Sequence, residues 1–160
     1  VFLIVTCVCN SLNAQNFNLG VSAGLPSGDA SDAYTFSAIL DASYLAEVSE
    51  EFHVGGAVGF IYSFGDSQDV PLIGTIDIDD AGFLPLAAAG RYAVSEEFVL
   101  GADIGYALGV TPSELDGGFY YAPRAQYYFS ESLSAVASYR GVSVTGGSFD
   151  FITLGVEFKL

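Results

Sequence analysis

Residues 98–110 read FVLGADIGYALGV, and this stretch decides the fold. One set of alternate residues is bulky and apolar: Phe98, Leu100, Ala102, Ile104, Tyr106, Leu108 and Val110. The residues between them are small, with one carboxylate: Gly101, Asp103, Gly105, Ala107 and Gly109. Because successive side chains of a β-strand point to opposite faces, the stretch predicts a strand with one bulky and one small face.

The same two-residue period recurs along the chain. The predicted strands cover residues 17–25, 34–45, 52–64, 83–94, 98–110, 119–129, 133–144 and 149–160. Their lengths are about those that a tilted strand needs to cross a bilayer. We therefore predict an all-β fold, an eight-stranded antiparallel up-and-down transmembrane β-barrel.

The second face of these strands separates a membrane barrel from a soluble one. A soluble sandwich or lipocalin-like barrel turns its apolar face inward and covers the other face with charged and polar side chains. Here the second face carries mostly Gly, Ala and Ser. Such a face suits the crowded interior of a narrow barrel, with the bulky face turned to lipid.

Composition excludes two other classes of protein. The 160 residues include 4 Lys and Arg against 19 Asp and Glu, a net charge of −15. Nucleic-acid binding needs clustered basic residues, so no nucleic-acid partner is expected. Disordered acidic chains have low hydrophobicity, whereas 51% of these residues are hydrophobic.

Seven charged residues fall on the small-residue face of the predicted strands. They are Asp41, Arg91, Asp103, Arg124, Arg140, Glu157 and Lys159. Charges facing lipid are costly, so a membrane barrel must turn them inward and pair them. We predict a lumen charge network that closes the barrel, and a narrow ion path along the same residues remains the alternative.

The connections between strands are of two kinds. Residues 48–52 read VSEEF, residues 94–98 repeat them unchanged, and residues 129–133 are a looser copy, FSESL. The connections at 26–33, 65–82, 111–118 and 145–148 are mostly longer. Short turns at one end and long loops at the other are typical of outer-membrane barrels, in which the short turns face the periplasm.

The first residues differ from the rest. Val1 to Val8 read VFLIVTCV, an apolar run followed by a small polar stretch that ends at Gln15. We predict that residues 1–15 are part of a cleaved signal peptide and that residues 16–160 form the barrel domain. Cys7 and Cys9 both lie in this segment. A buried first strand is the alternative.

The chain resembles the OmpA/OmpX-like outer-membrane β-barrel family of Gram-negative bacteria. Asn13-Ala14-Gln15, the repeated VSEEF turns and the closing residues 154–160, LGVEFKL, are similar to Bacteroidota members. The resemblance implies location in the outer membrane, contact with lipid and lipopolysaccharide, insertion by the barrel-assembly machinery, and a monomer. It implies no cofactor.

One histidine and one cluster of aspartates are candidate sites. His53, the only histidine, follows a short turn and is therefore expected at the periplasmic end, where an outer-membrane lipid-modifying site would not lie. We expect no catalytic residue and no enzyme. The longest loop contains a cluster of carboxylates of the kind that binds hard cations such as Ca²⁺, and this pattern alone does not identify the metal. These residues are Asp66, Asp69, Asp77, Asp79 and Asp80.

The functional prediction is a structural or interaction role for an integral outer-membrane barrel whose lumen is closed by salt bridges. Three alternatives stay open: a narrow porin-like channel for small solutes or ions, a surface adhesin or recognition barrel acting through its acidic loops, and a soluble, lipocalin-like export product. Pro123 falls inside the sixth predicted strand. A closed barrel has no free edge, so the N–H that proline lacks would be missing from the pairing with a neighbouring strand. We predict a β-bulge at that position.

Overall fold

The computed structural model describes residues 17–28 and 31–160. The predicted signal segment, with Cys7 and Cys9, lies outside the described residues. The described part of the chain contains ten strands and no helix long and apolar enough to cross a membrane. The strands are β1 (Phe17–Ser27), β2 (Tyr34–Glu47), β3 (Phe52–Gly65), β4 (Ser67–Val70), β5 (Gly74–Asp77), β6 (Ala81–Ala93), β7 (Phe98–Thr111), β8 (Gly118–Tyr128), β9 (Leu133–Val144) and β10 (Gly147–Lys159).

Eight of these strands close into one barrel. Their order around the wall is β1-β10-β9-β8-β7-β6-β3-β2, and β2 pairs with β1 to close the circle. Every neighbouring pair is antiparallel, and closure places Asn18 of β1 opposite Lys159 of β10. The predicted eight-stranded up-and-down barrel is confirmed. The hairpin of β4 and β5 was not predicted, and it lies within the predicted loop at residues 65–82.

The two faces of the wall follow the sequence pattern. Bulky residues such as Leu25, Leu154 and Ile152 are more than 60% exposed on the outer surface. The inward positions of β1 are Asn18, Gly20, Ser22 and Gly24, all buried. Small residues face inward because the interior of an eight-stranded barrel is only wide enough for its own side chains.

The repeated sequence at the short turns gives a repeated hydrogen-bond pattern. In the first turn the backbone N–H of Val48 donates to the carbonyl of Phe52, and Ser49 Oγ accepts from the N–H of Phe52. Val94, Ser95 and Phe98 repeat both bonds, and the looser third copy repeats them with Phe129, Ser130 and Leu133. In each copy the serine hydroxyl accepts a backbone N–H from the residue three places later, which is typical of a tight turn, so the motif is a turn signal.

The predicted bulge at Pro123 is wrong. On both sides of Pro123 the pairing of β8 with β9 keeps one register, Tyr121 opposite Gly141 and Arg124 opposite Ser138. The ladder to β9 skips two pairs, while Pro123 stays opposite Ala102 of β7. A proline removes one donor but adds no residue to the strand, so the ladder is interrupted without a shift.

Candidate functional site: the barrel interior and the long-loop hairpin

The first interior ion pair joins neighbouring strands near the short-turn end. Arg91 of β6 places its Nη1 atom 2.6 Å from Oδ1 of Asp103 on β7, and both residues are buried. The absence of a side chain at Gly101 leaves space for the Arg91 side chain, because a Cβ atom at position 101 would lie 2.6 Å from Arg91 Cδ. Nη1 of Arg91 also donates to the carbonyl of Gly90.

The second ion pair is part of a small polar cluster. Arg124 Nη2 lies 2.5 Å from Oε2 of Glu157, which is also buried. Gln126 Nε2 is 2.8 Å from the other carboxylate oxygen, Oε1, and 2.7 Å from the hydroxyl of Ser134. Both oxygens of a buried carboxylate therefore accept hydrogen bonds, which a charge in this position requires.

The third ion pair lies farther from the short turns. Arg140 of β9 and Asp41 of β2 form a bidentate pair, with distances of 2.8 Å and 2.7 Å from the two Nη atoms to the two carboxylate oxygens. The hydroxyl of Tyr120 accepts from Nη1 at 3.3 Å, and Ser138 accepts from Nε at 3.2 Å. The guanidinium uses all three of its nitrogen atoms, and planar bidentate geometry is the strongest form of this pair.

The structure thus brings together six of the seven charged residues that were assigned to the lumen. Lys159 differs: it is exposed at the short-turn end and forms no ion pair within the described ranges. Its position as the last residue of β10 leaves its side chain at the rim. The uncharged partners Gln126, Ser138 and Tyr120 were not predicted, although each has the inward parity of its strand.

An apolar cluster fills the interior toward the long loops. Its largest fully buried side chains are Phe83, Phe151, Ile39, Ile61 and Val142. Phe149, near the start of β10, packs edge-on to Phe83 with 4.9 Å between ring centroids. Moving from the short turns to the long loops, the interior is therefore an open cavity, then the ion pairs, then packed apolar side chains.

His53 lies where its position after a short turn indicates. It is half-buried on the inner face of β3, opposite Arg91 of β6. Both residues line the cavity at the short-turn end.

The five loop aspartates do not converge on one point. Asp66 accepts a bond from the N–H of Ser67, Asp77 from the hydroxyl of Ser67, and Asp69 from the hydroxyl of Thr75. Asp80 lies at the base of the hairpin instead. Within residues 17–28 and 31–160, no group of three or more His, Cys, Asp or Glu side chains could hold a metal ion. Asp77 and Asp69 therefore bond across the two strands of the hairpin, and the cation site stays a prediction.

Asp80 fastens the base of this hairpin to the barrel wall. Its Oδ2 accepts from the hydroxyl of Tyr62 at 2.7 Å, and its Oδ1 accepts from the N–H of Gly65 at 2.8 Å. The hydrogen bond from Tyr62, followed by that from Gly65, lowers the pKa of the Asp80 carboxyl below its ordinary value.

Comparison with known proteins identifies the fold. No family model matches the chain, and no curated protein matches it. The attachment invasion locus protein Ail of Yersinia pestis is 13% identical with a TM-score of 0.56, covering 89% of this chain and 95% of Ail. A de novo designed transmembrane β-barrel is 12% identical with a TM-score of 0.56, covering 91% of this chain and 96% of the design.

The N-terminal β-barrel domain of Pseudomonas aeruginosa OprF is 15% identical with a TM-score of 0.52, covering 90% of this chain and 97% of that domain. At such low identities the similarity concerns the backbone architecture alone. The chain therefore has the fold of the small outer-membrane β-barrels, represented by Ail and OprF, over nearly its whole described length.

Proposed function

We propose that this chain is an integral outer-membrane barrel with a closed, non-conducting lumen and a structural or interaction role, and that it is not an enzyme. The observation that carries the proposal is the filled interior. Phe83, Phe151, Ile39 and Ile61 are fully buried toward the long loops, and three ion pairs lie beneath them. Packing of this kind supports a lumen without a continuous water path for ions or solutes.

The outer surface supports residence in the membrane. Large apolar side chains such as Val21, Leu40 and Ile104 are more than half exposed, and in water they would form an apolar surface far larger than soluble monomers carry. Lipid and lipopolysaccharide are the partners that such a surface fits, with the barrel-assembly machinery needed for insertion. We further propose a monomer, cleavage of a signal within residues 1–15, and an origin in Bacteroidota.

Planar bilayers and outer-membrane preparations test this proposal together. The protein is expressed with a complete signal, and boiled and unboiled outer-membrane samples are run on one gel. We expect a faster-migrating unboiled band and no steady single-channel conductance. A double variant, Phe83→Ala with Phe151→Ala, removes two of the largest interior side chains and should conduct more than the wild type. A steady single-channel conductance of the wild type would contradict the closed lumen and would favour a narrow porin.

A second role, surface recognition, is favoured by the hairpin of β4 and β5. At its tip, Leu72 is fully exposed and Ile73 is 76% exposed. The flanking aspartates, such as Asp66 and Asp77, are exposed as well. An apolar tip with acidic flanks fits a protein partner that combines an apolar patch with basic residues.

Cysteine labelling tests whether the hairpin faces outward. The only cysteines in the sequence, Cys7 and Cys9, lie in the segment that we propose is cleaved, so a single Cys placed in the barrel gives a specific label in the processed protein. Ile73→Cys at the hairpin tip should react with a membrane-impermeant maleimide on intact cells. The matched control, Ser130→Cys in a short turn, should react only after the cells are lysed. The reverse pattern would contradict the orientation.

Attachment assays test the recognition role itself. Cells carrying the wild type should adhere to a surface coated with lysozyme, a basic protein, more than cells carrying Leu72→Ser with Ile73→Ser. Equal heat-modifiable bands verify equal amounts of folded barrel. Equal adhesion would argue against recognition through the hairpin while leaving the closed barrel unaffected.

A further inference from the structure

A cavity of about 760 Å³ opens at the short-turn end of the barrel. The ends of the strands form its walls, with the inward-facing Asn18, His53, Arg91 and Tyr128 among its lining residues, and Lys159 joins them at the end of β10. Small-molecule sites typically have volumes of about 300 to 1,000 Å³. The cavity therefore has room for a small ligand.

Basic side chains are concentrated in this cavity. The chain has 4 Lys and Arg and one His at a net charge of −15, yet His53, Arg91 and Lys159 all line the same space. His53 pairs with Arg91 across β3 and β6, and Asn18 pairs with Lys159 across β1 and β10. Only β2 separates these two pairs along the wall. The four residues therefore follow one another around the cavity from β6 to β10, with Arg91 and Lys159 on opposite sides of it.

Arg91 carries hydrogen-bond donors that nothing in the described part of the chain satisfies. Its Nη1 atom is used by Asp103 and the Gly90 carbonyl, but its Nε and Nη2 atoms are buried and without a partner there. The residue is only 4% exposed. Buried donors without acceptors are costly, and an oxyanion can accept two guanidinium bonds at once.

We propose that this cavity binds a small molecule carrying one carboxylate or phosphodiester group, with Arg91 as the principal donor. Lys159, His53 and Asn18 supplement it. Leu45 and Val99 provide apolar wall for the rest of the ligand.

The mouth of the cavity restricts the ligand further. Glu96, Glu97 and Glu131, all in short turns, line it as exposed carboxylates. Exposed charges are screened by water and salt, whereas the buried Arg91 is screened much less. The floor therefore attracts one oxyanion while the mouth disfavours additional negative charge. A monoanion or a zwitterion fits this arrangement, and a polyanion does not.

A titration with matched probes tests the site in the folded protein in detergent micelles. The probe is 6-aminohexanoate, and its control is 6-aminohexanamide, which differs only in lacking the carboxylate. Nuclear magnetic resonance follows the Arg91 Nε–H and the backbone amides at the strand ends. We expect saturable shifts with 6-aminohexanoate and none with the amide. Inorganic phosphate, added separately, tests whether a free anion without an organic body suffices.

Three variants locate the binding site. Arg91→Lys keeps a positive charge beside Asp103 but removes the planar pair of guanidinium N–H donors. The dissociation constant of 6-aminohexanoate should therefore rise about tenfold. Lys159→Gln lies at the exposed rim outside the ion pairs, so the barrel should fold, and the dissociation constant should rise severalfold. Glu131→Gln should leave it unchanged or lower it.

Equal shifts with the carboxylate and the amide would overturn the proposal, as would a titration that is the same in wild type and Lys159→Gln. Glu50 lies in a short turn but does not line the cavity, so Glu50→Gln serves as the matched charge control and should bind as the wild type does. A dissociation constant that Glu50→Gln changes as much as Lys159→Gln does would reveal a general charge effect instead of a site.

Discussion

Gly59 on β3 faces the carboxylate of Asp41 on β2: a Cβ atom at position 59 would lie 2.7 Å from Asp41 Oδ1. The same Cβ would lie 3.2 Å from Pro85 Cγ and 3.2 Å from the carbonyl oxygen of Leu40. Asp41 Oδ1 is at the same time 2.8 Å from Nη1 of Arg140. The missing side chain of Gly59 is therefore the space that the ion pair occupies.

Gly59→Ala should destabilise the barrel. The added methyl group must displace a carboxylate that Arg140 holds on both oxygens, and overpacking of this kind costs about 1 to 3 kcal/mol. Urea unfolding in phospholipid vesicles measures the change. The control is Gly56→Ala, where a new Cβ would meet only the carbonyl oxygen of Ala87 at 3.9 Å. Equal unfolding midpoints for the two variants would contradict the argument.

Arg124→Ala should lower the free energy of unfolding more than the loss of any loop aspartate. Removing Arg124 leaves Glu157 charged, buried and dependent on Gln126, and breaking a buried pair costs about 3 to 5 kcal/mol. Asp66→Ala removes an exposed side chain in the hairpin and should stay within about 0.5 kcal/mol. The midpoints of urea unfolding in detergent compare them.

The double variant Arg124→Ala with Glu157→Gln separates the lost pair from the stranded charge. Neutralising the second partner should recover part of the stability, because most of the cost lies in burying an uncompensated carboxylate. A double variant no more stable than Arg124→Ala would indicate that the arginine acts through its packing instead.

The period-two pattern is sufficient to predict the eight strands of the barrel and the inward direction of the six charged side chains that form its ion pairs. A one-residue change of register moves a side chain to the other face of the wall, so parity alone places Asp103 and Arg140 inside. The residues that this parity places on the inner face include all those that form the three ion pairs.

The same pattern does not predict which charges meet. Asp41 and Arg140 are 99 residues apart, and their strands are separated in the wall by β1 and β10. Such contacts depend on strand tilt and stagger, which alternation does not encode. Phe83 and Phe151 were also unexpected inside, because the inward face otherwise carries small residues. The hairpin of β4 and β5 was missed because four-residue strands give too short a pattern.

The hairpin base should loosen in acid. The hydrogen bonds from Tyr62 and Gly65 depress the pKa of the Asp80 carboxyl. The charged carboxylate therefore stabilises the base of the hairpin in full at pH values above its unfolded pKa of about 3.9. This contribution is lost as the pH falls through the depressed folded value. Hydrogen exchange of the backbone amides of residues 65–78, corrected for the intrinsic rate, should show that protection decreases when the pH is lowered below about 4.

Asp80→Asn is the matched variant for this measurement. It removes the charge at every pH, so its hairpin should be less protected at pH 7 and should lack the acid-dependent loss. Asp69→Asn, whose carboxylate bonds within the hairpin to Thr75, should retain the wild-type profile at residue 65. An acid transition that survives Asp80→Asn would assign the effect to another group.

Pro123→Val should stabilise the barrel. Pro123 is exposed on the outer face, and its missing N–H interrupts the ladder to β9 where Tyr139 would be its partner. Valine restores that donor, suits a strand facing lipid and needs no shift of register, so we expect a gain of about 1 kcal/mol. Unfolding in vesicles measures the gain, and slower amide exchange at position 123 verifies the new bond.

Pro85→Val provides the contrasting case. Pro85 interrupts the ladder from β6 to β3 in the same way, without a change of register between Val58–Leu86 and Ile61–Phe83. It is buried, however, and its ring lies beside Gly59 and the Asp41 ion pair. Valine at position 85 should therefore gain a hydrogen bond but lose interior packing, with little net change. If Pro123→Val also fails to stabilise the barrel, the interrupted ladder carries no penalty in this wall.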